Sequence, residues 1–476
     1  MTGERERSDL QPLRRAVSVY RGHIFHVAGP ATLSTAVESL VSIPDGALVV
    51  SDQGSIEWVG EHDRLPAPYA DVEVASAGFI IPGFVDTHLH FPQTYAADAY
   101  GGGQLLEWLD HCIFPAEARL ADQAYAVRTA RDFVQRRMAV GTTAALVFGS
   151  AFPAAQDALF SATRDAGLRL VSGRGVQTVG PDSARPLITG EAEALELVRA
   201  EIERWHGVDE LLQVAIVPRF SLSVTPRTLA GLGELYDDVR ARGVYFHSHL
   251  SENDRPGDGE VAAVRAAYGT EHYLDTYDGR FLPGSAVGGS SFLGRRSILA
   301  HAVHCADAEL ARMAETGTSI AHCPTSQQFL GSGTMPWRRT AAAGVTISVG
   351  SDIGGGDEWL ISRVLNDTYK VHISEDAEAV ALHPAELLFT GTLAGAQALD
   401  MDTRFGNFDV GKDADFLLIE PDLWEPLARN LARSIRSADE QVATAQTLFV
   451  LLLSMREPAI SDTYVRGSKL RRVPIL

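Results

Sequence analysis

Two histidines one residue apart, His88 and His90, close an apolar run that opens Ile81-Pro-Gly-Phe-Val-Asp-Thr. In an extended strand, residues two apart point to the same side, so both imidazoles face one place. Neutral imidazole nitrogen is a common ligand for zinc and similar divalent ions, and a catalytic zinc site keeps one position for water beside its protein ligands. Far along the chain, His249 in His-Leu-Ser-Glu252 and Asp352 in Gly-Ser-Asp-Ile-Gly-Gly are natural completions of such a set. Glu252, three residues beyond His249, falls beside the metal but free of it, the position for a proton-transfer acid. His301, in Leu-Ala-His-Ala, adds a further polar group.

Each of these residues has a plainer reading when taken alone. A strand can carry two histidines for packing, His247 competes with His249, and Asp352 can cap a helix or start a turn. Their joint placement, in barrel order at strand ends, favours the metal site. His111, His304 and His322 read as structural or as neighbours of the ligands, and Cys323 as a buried thiol. Gly101 to Gly103 and Gly354 to Gly356 do not fit Gly-x-x-x-x-Gly-Lys, and no lysine stands near either. The only lysines are Lys370, Lys412 and Lys469. A pair of metals bridged by a modified lysine on a middle strand therefore has no bridge, which points to one metal ion per chain.

Eight short apolar segments position these groups. They run from Ile81 to His90, Thr142 to Phe148, Leu168 to Val176, Leu211 to Phe220, Val244 to Leu250, Ser297 to Val303, Thr318 to Cys323 and Thr346 to Asp352. Helical stretches separate most of them, as in Leu120, Ala124, Val127, Ala130, Val134 and Met138. Eight βα units over 81–407 predict an α/β protein with a (β/α)8 TIM-type barrel, a fold that places its chemistry at the C-terminal ends of the strands. The texture before and after is different. Val17 to Val27, Ala47 to Val50 and Ser55 to Gly60 read as strands, with Asp52-Gln-Gly54 as a turn. From Phe408 onward Phe416 to Ile419 and Thr463 to Leu470 read the same way, with helices around Ala428 to Arg436 and near Val442. Residues 16–80 and 408–476 are expected to join into one small β-rich domain, and residues 1–15 to form a loose tail.

The composition excludes several classes. With 476 residues, 45% of them hydrophobic, the chain can bury a large core. The 61 acidic against 41 basic residues, a net charge of -20, argue against a nucleic-acid-binding surface. The apolar run from Leu448 to Leu453 is too short to span a bilayer. Three scattered cysteines give no disulfide framework, and the charged N-terminus leads into no signal core, so a cytoplasmic protein is expected.

The run from Pro82 to His90, with His-Leu-Ser-Glu252 and Ser-Asp352, resembles the amidohydrolase superfamily and, within it, the guanine deaminase family. Phe91-Pro-Gln93-Thr, Gln104-Leu-Leu-Glu-Trp-Leu, Phe114-Pro-Ala-Glu117, Pro218-Arg-Phe220-Ser, Cys323-Pro-Thr-Ser326, Phe329-Leu-Gly-Ser-Gly333 and Gly406-Asn-Phe extend the likeness from about residue 15 to the C-terminus. The resemblance implies a zinc-dependent aminohydrolase of a purine ring, a homodimer, with zinc on His88, His90, His249 and Asp352. It implies Glu252, His301 and Asp352 as catalytic groups, and Gln93, Arg219 and Phe220 as contacts to the base beside His90, His249, Glu252 and Asp352. The implied reaction is attack of a metal-activated water on C2 of guanine, giving xanthine and ammonia. Three departures stand out: Gln327 where Asn is usual, a longer loop at Gly101 to Gly103, and Gly175-Val-Gln-Thr-Val-Gly-Pro181 after the third strand. The last keeps open a rival ring such as a pterin, a triazine or an oxidised purine. A non-catalytic barrel is the remote alternative.

Overall fold

Strands that are covered on both faces are rich in apolar residues and buried along their length, and eight such strands lie parallel and side by side here. The computed structural model describes residues 16–97, 99, 104–256, 259–279, 290–434 and 437–470. The tail at 1–15, the glycines 101–103 and the expected end of a helix at Arg436 fall outside them. Four strands precede the barrel, β1 Ser18–Val27, β2 Leu40–Val50, β3 Ile56–Glu61 and β4 Val74–Pro82. The barrel follows as β5 Phe84–His90, β6 Thr142–Phe148, β7 Arg169–Gly173, the short β8 Gly175–Val176, β9 Leu212–Pro218, β10 Tyr245–Leu250, β11 Ser297–His301, β12 Ser319–His322 and β13 Ile347–Val349. Three strands close the chain, β14 Phe416–Ile419, β15 Ile460–Val465 and β16 Ser468–Lys469.

The barrel sheet runs β13-β12-β11-β10-β9-β7-β6-β5, with β8 as an extra pairing on β9. Alternation along β6 shows how it is filled. Ala144, Leu146 and Phe148 point inward, into a cluster with Val85, Val171 and Val217. Ala145 and Val147 point outward, to a layer shared with Phe133 and Val134 of the helix Gln123–Ala139. The seam between β13 and β5 closes through individual bonds. The Asp352 amide donates to the His88 carbonyl at 2.8 Å, and the Thr87 hydroxyl to the Val349 carbonyl at 2.8 Å. Gly350 permits this approach, because a Cβ there would stand 2.7 Å from the His88 Cβ.

The second sheet has the order β16-β15-β14-β4-β1-β2-β3, so both ends of the chain contribute to it. Arg169, at the start of β7, ties the two sheets together through Asp415 at 2.5 Å and Asp413 at 2.6 Å. Two expectations need correcting here. The apolar run taken as one strand from Ile81 is two strands in two sheets, broken at Pro82-Gly83, where the Gly83 amide donates to the Asp415 carbonyl instead. The stretch from Thr463 to Leu470 is likewise a hairpin, turned at Arg466 and Gly467 with φ of 50° and 65°. No helix among the described residues is long and apolar enough to cross a membrane.

Candidate active site

At the C-terminal mouth of the barrel the strand ends bring four side chains to one place. The Asp352 Oδ1 lies 3.1 Å from His88 Nε2 and 3.1 Å from His90 Nε2, and His90 Nε2 lies 3.3 Å from His249 Nε2. All four residues are buried. Backbone at three of these strand ends is unusual: Ser251, His301 and Asp352 have φ of 48°, 76° and 50°. Such conformations cost on the order of 1–3 kcal/mol each in non-glycine residues and cluster at functional sites.

Protons on the imidazoles follow from their outer partners. His247 Nδ1 lies 2.8 Å from the Ile298 carbonyl, which can only accept, so His247 donates there and its Nε2 carries a lone pair. His88 Nδ1 sits 2.7 Å from that Nε2 and must therefore donate to it. This leaves His88 Nε2 as a bare lone pair aimed at Asp352, buried and without a hydrogen-bond partner. His249 is set in the same way, its Nδ1 donating to the Arg219 carbonyl at 2.6 Å. Burial opposes ionisation of Asp352, and positive charge on the side of His88 and His90 outweighs it, holding the carboxyl well below its usual range. Burial, with His88 and His90 alongside, holds His249 well below its own. Lone pairs on nitrogen facing a carboxylate oxygen at 3.1 Å repel unless a cation lies between them, and three imidazoles with one carboxylate are a donor set for a divalent metal. Ligand atoms of His88, His249 and His301 lie within 4.8 Å of one another, as do those of Glu252, His301 and Asp352. Cys323 forms a third such group with His88 and Asp352, and burial pushes its thiol well up, which disfavours the thiolate.

Glu252 stands beside this cluster. Its Oε2 is 3.3 Å from His301 Nε2, which is 3.8 Å from Asp352 Oδ2. Burial, reinforced by the charges of Asp352 and Glu260, raises the Glu252 carboxyl well above its usual range, so it holds a proton. Burial pushes His301 down to about 3, which keeps it neutral. Glu260 fixes the Glu252 backbone by accepting from its amide at 3.0 Å, and Tyr273 donates to the other Glu260 oxygen at 2.7 Å.

The cluster forms one end of a pocket of about 390 Å³ of empty space. Leu105, Trp108, Leu109, Phe220 and Leu330 make its apolar walls, and Gln93 and Arg219 join the cluster as polar lining. Every residue singled out from the sequence for the site, His88 and His301 apart, lines this pocket; those two stand in the cluster behind. The turn Asp182–Leu187, after the altered third-strand loop, packs behind the wall, where Ala184 and Leu187 meet Trp108, Phe114 and Phe220. Gln327 is buried with neither amide atom partnered. His322 pairs with His372 at 3.1 Å, His304 with the Ser332 carbonyl at 2.8 Å, and His111 is exposed near Glu107.

Three residues had no role assigned from the sequence: His247 behind His88, Glu260 behind Glu252, and Glu117. The last accepts from Gln93 Nε2 at 2.8 Å and from Arg219 Nη1 at 2.8 and 2.7 Å. The signal for Glu117 was its place in Phe114-Pro-Ala-Glu117, and for His247 its spacing of two from His249; for Glu260 the sequence offers none.

The sequence pattern of the Amidohydrolase family matches residues 79–454. A probable guanine deaminase of Deinococcus radiodurans is 38% identical over 446 residues, covering 91% of this chain and 95% of that protein. The guanine deaminase of Escherichia coli K12 is 36% identical over 435 residues, covering 89% and 91%. A solved structure of the E. coli guanine deaminase superposes with a TM-score of 0.82 at 31% identity, over 96% of this chain and 99% of that one.

Proposed function

The chain belongs to the amidohydrolase family, and from that premise we propose that it is a zinc-dependent guanine deaminase, hydrolysing guanine to xanthine and ammonia. The observation that carries the reading is the convergence of His88, His90, His249 and Asp352, linked through contacts of 3.1, 3.1 and 3.3 Å, beside a pocket whose polar lining includes Gln93 and Arg219. High-coverage relatives that bear the guanine deaminase name support it.

His88, His90, His249 and Asp352 would hold one zinc ion. Zinc in such a set lowers the pKa of water from 15.7 to about 7, which makes a nucleophile available at neutral pH. Glu252 delivers its proton to N3 of the ring as C2 becomes tetrahedral, which is the work of a carboxyl kept protonated by burial. Asp352 Oδ2 takes up the proton lost from water and returns it towards the leaving amine. His301, neutral and facing both carboxyls, orients the reacting groups between them. Arg219 donates to the O6 carbonyl, Gln93 meets the neighbouring ring edge, and Phe220 offers an apolar face to the base.

By the same kinship we propose a cytoplasmic homodimer, with residues 16–80 and 408–476 as a composite β-rich domain on a barrel of 81–407. The sheet that draws strands from both chain ends supports that division. The test is metal stoichiometry of the purified protein together with xanthine formation from guanine, run beside a pterin and a triazine. One zinc per chain with xanthine released is expected. A metal-loaded protein that leaves guanine untouched, or that prefers another ring, overturns the assignment.

A further inference from the structure

We propose that Glu117 is the positioning residue that sets which hydrogen-bond pattern the pocket reads. This rests on the guanine reading above and deepens it. An ionised carboxylate only accepts hydrogen bonds. The Gln93 amide therefore turns its Nε2 to Glu117, at 2.8 Å, and its Oε1 away. That Oε1 is buried, has no partner, and lies where a Cβ on Gly354 would come within 1.7 Å of it. The same carboxylate holds Arg219 Nη1 between its two oxygens, at 2.8 and 2.7 Å, which anchors that corner of the guanidinium. Both Glu117 and Arg219 are almost wholly buried, so water does not compete for these bonds.

Gln93 and Arg219 both line the pocket; with its Nε2 engaged by Glu117, the Gln93 amide has its unpartnered oxygen left to offer a ligand, beside the donors of Arg219. The complement of that pair is a ring N–H next to a carbonyl, the lactam edge of a 6-oxopurine. A ring with nitrogen lone pair and amine in those places meets like against like, and buried groups are left unpaired. Without an acceptor-only neighbour the Gln93 amide is free to flip, and the pocket loses its preference. Glu117 does not line the pocket, so it acts through these two side chains.

The experiment compares kcat/KM on guanine and on 2-aminopurine, which carries the same C2 amine but no 6-oxo group. Wild type and Glu117→Gln are measured with zinc content and melting temperature. The variant is expected to lose about 100-fold on guanine, mostly through KM, and less than about threefold on 2-aminopurine. Equal losses on both bases make Glu117 a structural residue, and no loss on either makes it irrelevant; both overturn the proposal. Where Glu117→Gln does not fold, Glu117→Asp retains the charge beside Arg219 but is too short to hold both partners. It should narrow the preference for guanine about tenfold, and an unchanged preference in the folded variant overturns the proposal equally. A zinc-loaded wild-type protein that makes no xanthine defeats the substrate reading itself, and this proposal with it.

Discussion

His88 and His247 share one proton across 2.7 Å, and the carbonyl of Ile298 on the far side of His247 decides where that proton sits. The relay leaves the inner nitrogen of His88 bare before any metal arrives. Outer partners of this kind typically alter metal affinity 10- to 100-fold when removed. His247→Ala should therefore weaken zinc binding in that range in a competition with a chelator. His247→Gln, which keeps an acceptor, should lose less. Identical losses in the two variants would reduce His247 to packing.

Glu252→Gln keeps the size of the side chain and removes the transferable proton. Zinc content should be unchanged and turnover should drop by about 10²–10⁴. Near-normal turnover would take Glu252 out of the proton-transfer role.

Gly354 has a φ of 121°, and a methyl group there would collide with the Gln93 amide. Gly354→Ala is expected to lower kcat/KM on guanine at least about tenfold through displacement of Gln93, with zinc retained. Steady-state kinetics alongside metal analysis checks this; an unaffected KM would mean that Gln93 does not contact the base.

Glu201, buried beneath the Arg174 amide that donates to it at 3.0 Å, has its carboxyl pushed up to about 8 by burial. In the unfolded chain it titrates near 4.3. Between roughly pH 4.5 and 8 the folded state keeps a proton that the unfolded state has released, so stability falls as pH rises through this window. The contribution of this one group is at most about 3–5 kcal/mol. Urea unfolding at pH 5.5 and pH 8 should show a smaller drop for Glu201→Gln than for wild type, and an equal drop would assign the effect elsewhere.

The site was legible where the chain's own periodicity exposes it. His301 announces itself by ending the apolar run Ile298-Leu-Ala, and Asp352 by following the last barrel strand, whereas His249 is marked by its place near the end of its strand. Glu117, His247 and Glu260 each act on another side chain, and no local spacing reports a partner that is far away in sequence. The same limit explains the mistaken first strand. The run from Phe79 to Val85 is apolar on both sides of Pro82-Gly83, and only the partners, β14 on one side and β6 on the other, show that it serves two sheets.

That division sets an order of assembly. The edge of β4 that faces away from β1 pairs with β14, which leaves the ribosome only after the whole barrel has been made. During synthesis the early strands expose an open ladder and an apolar face, the condition under which nascent chains stick to one another. Deleting β14 to β16 would make that exposure permanent, so a shortened chain should collect as insoluble aggregate even though every residue of the pocket is still encoded.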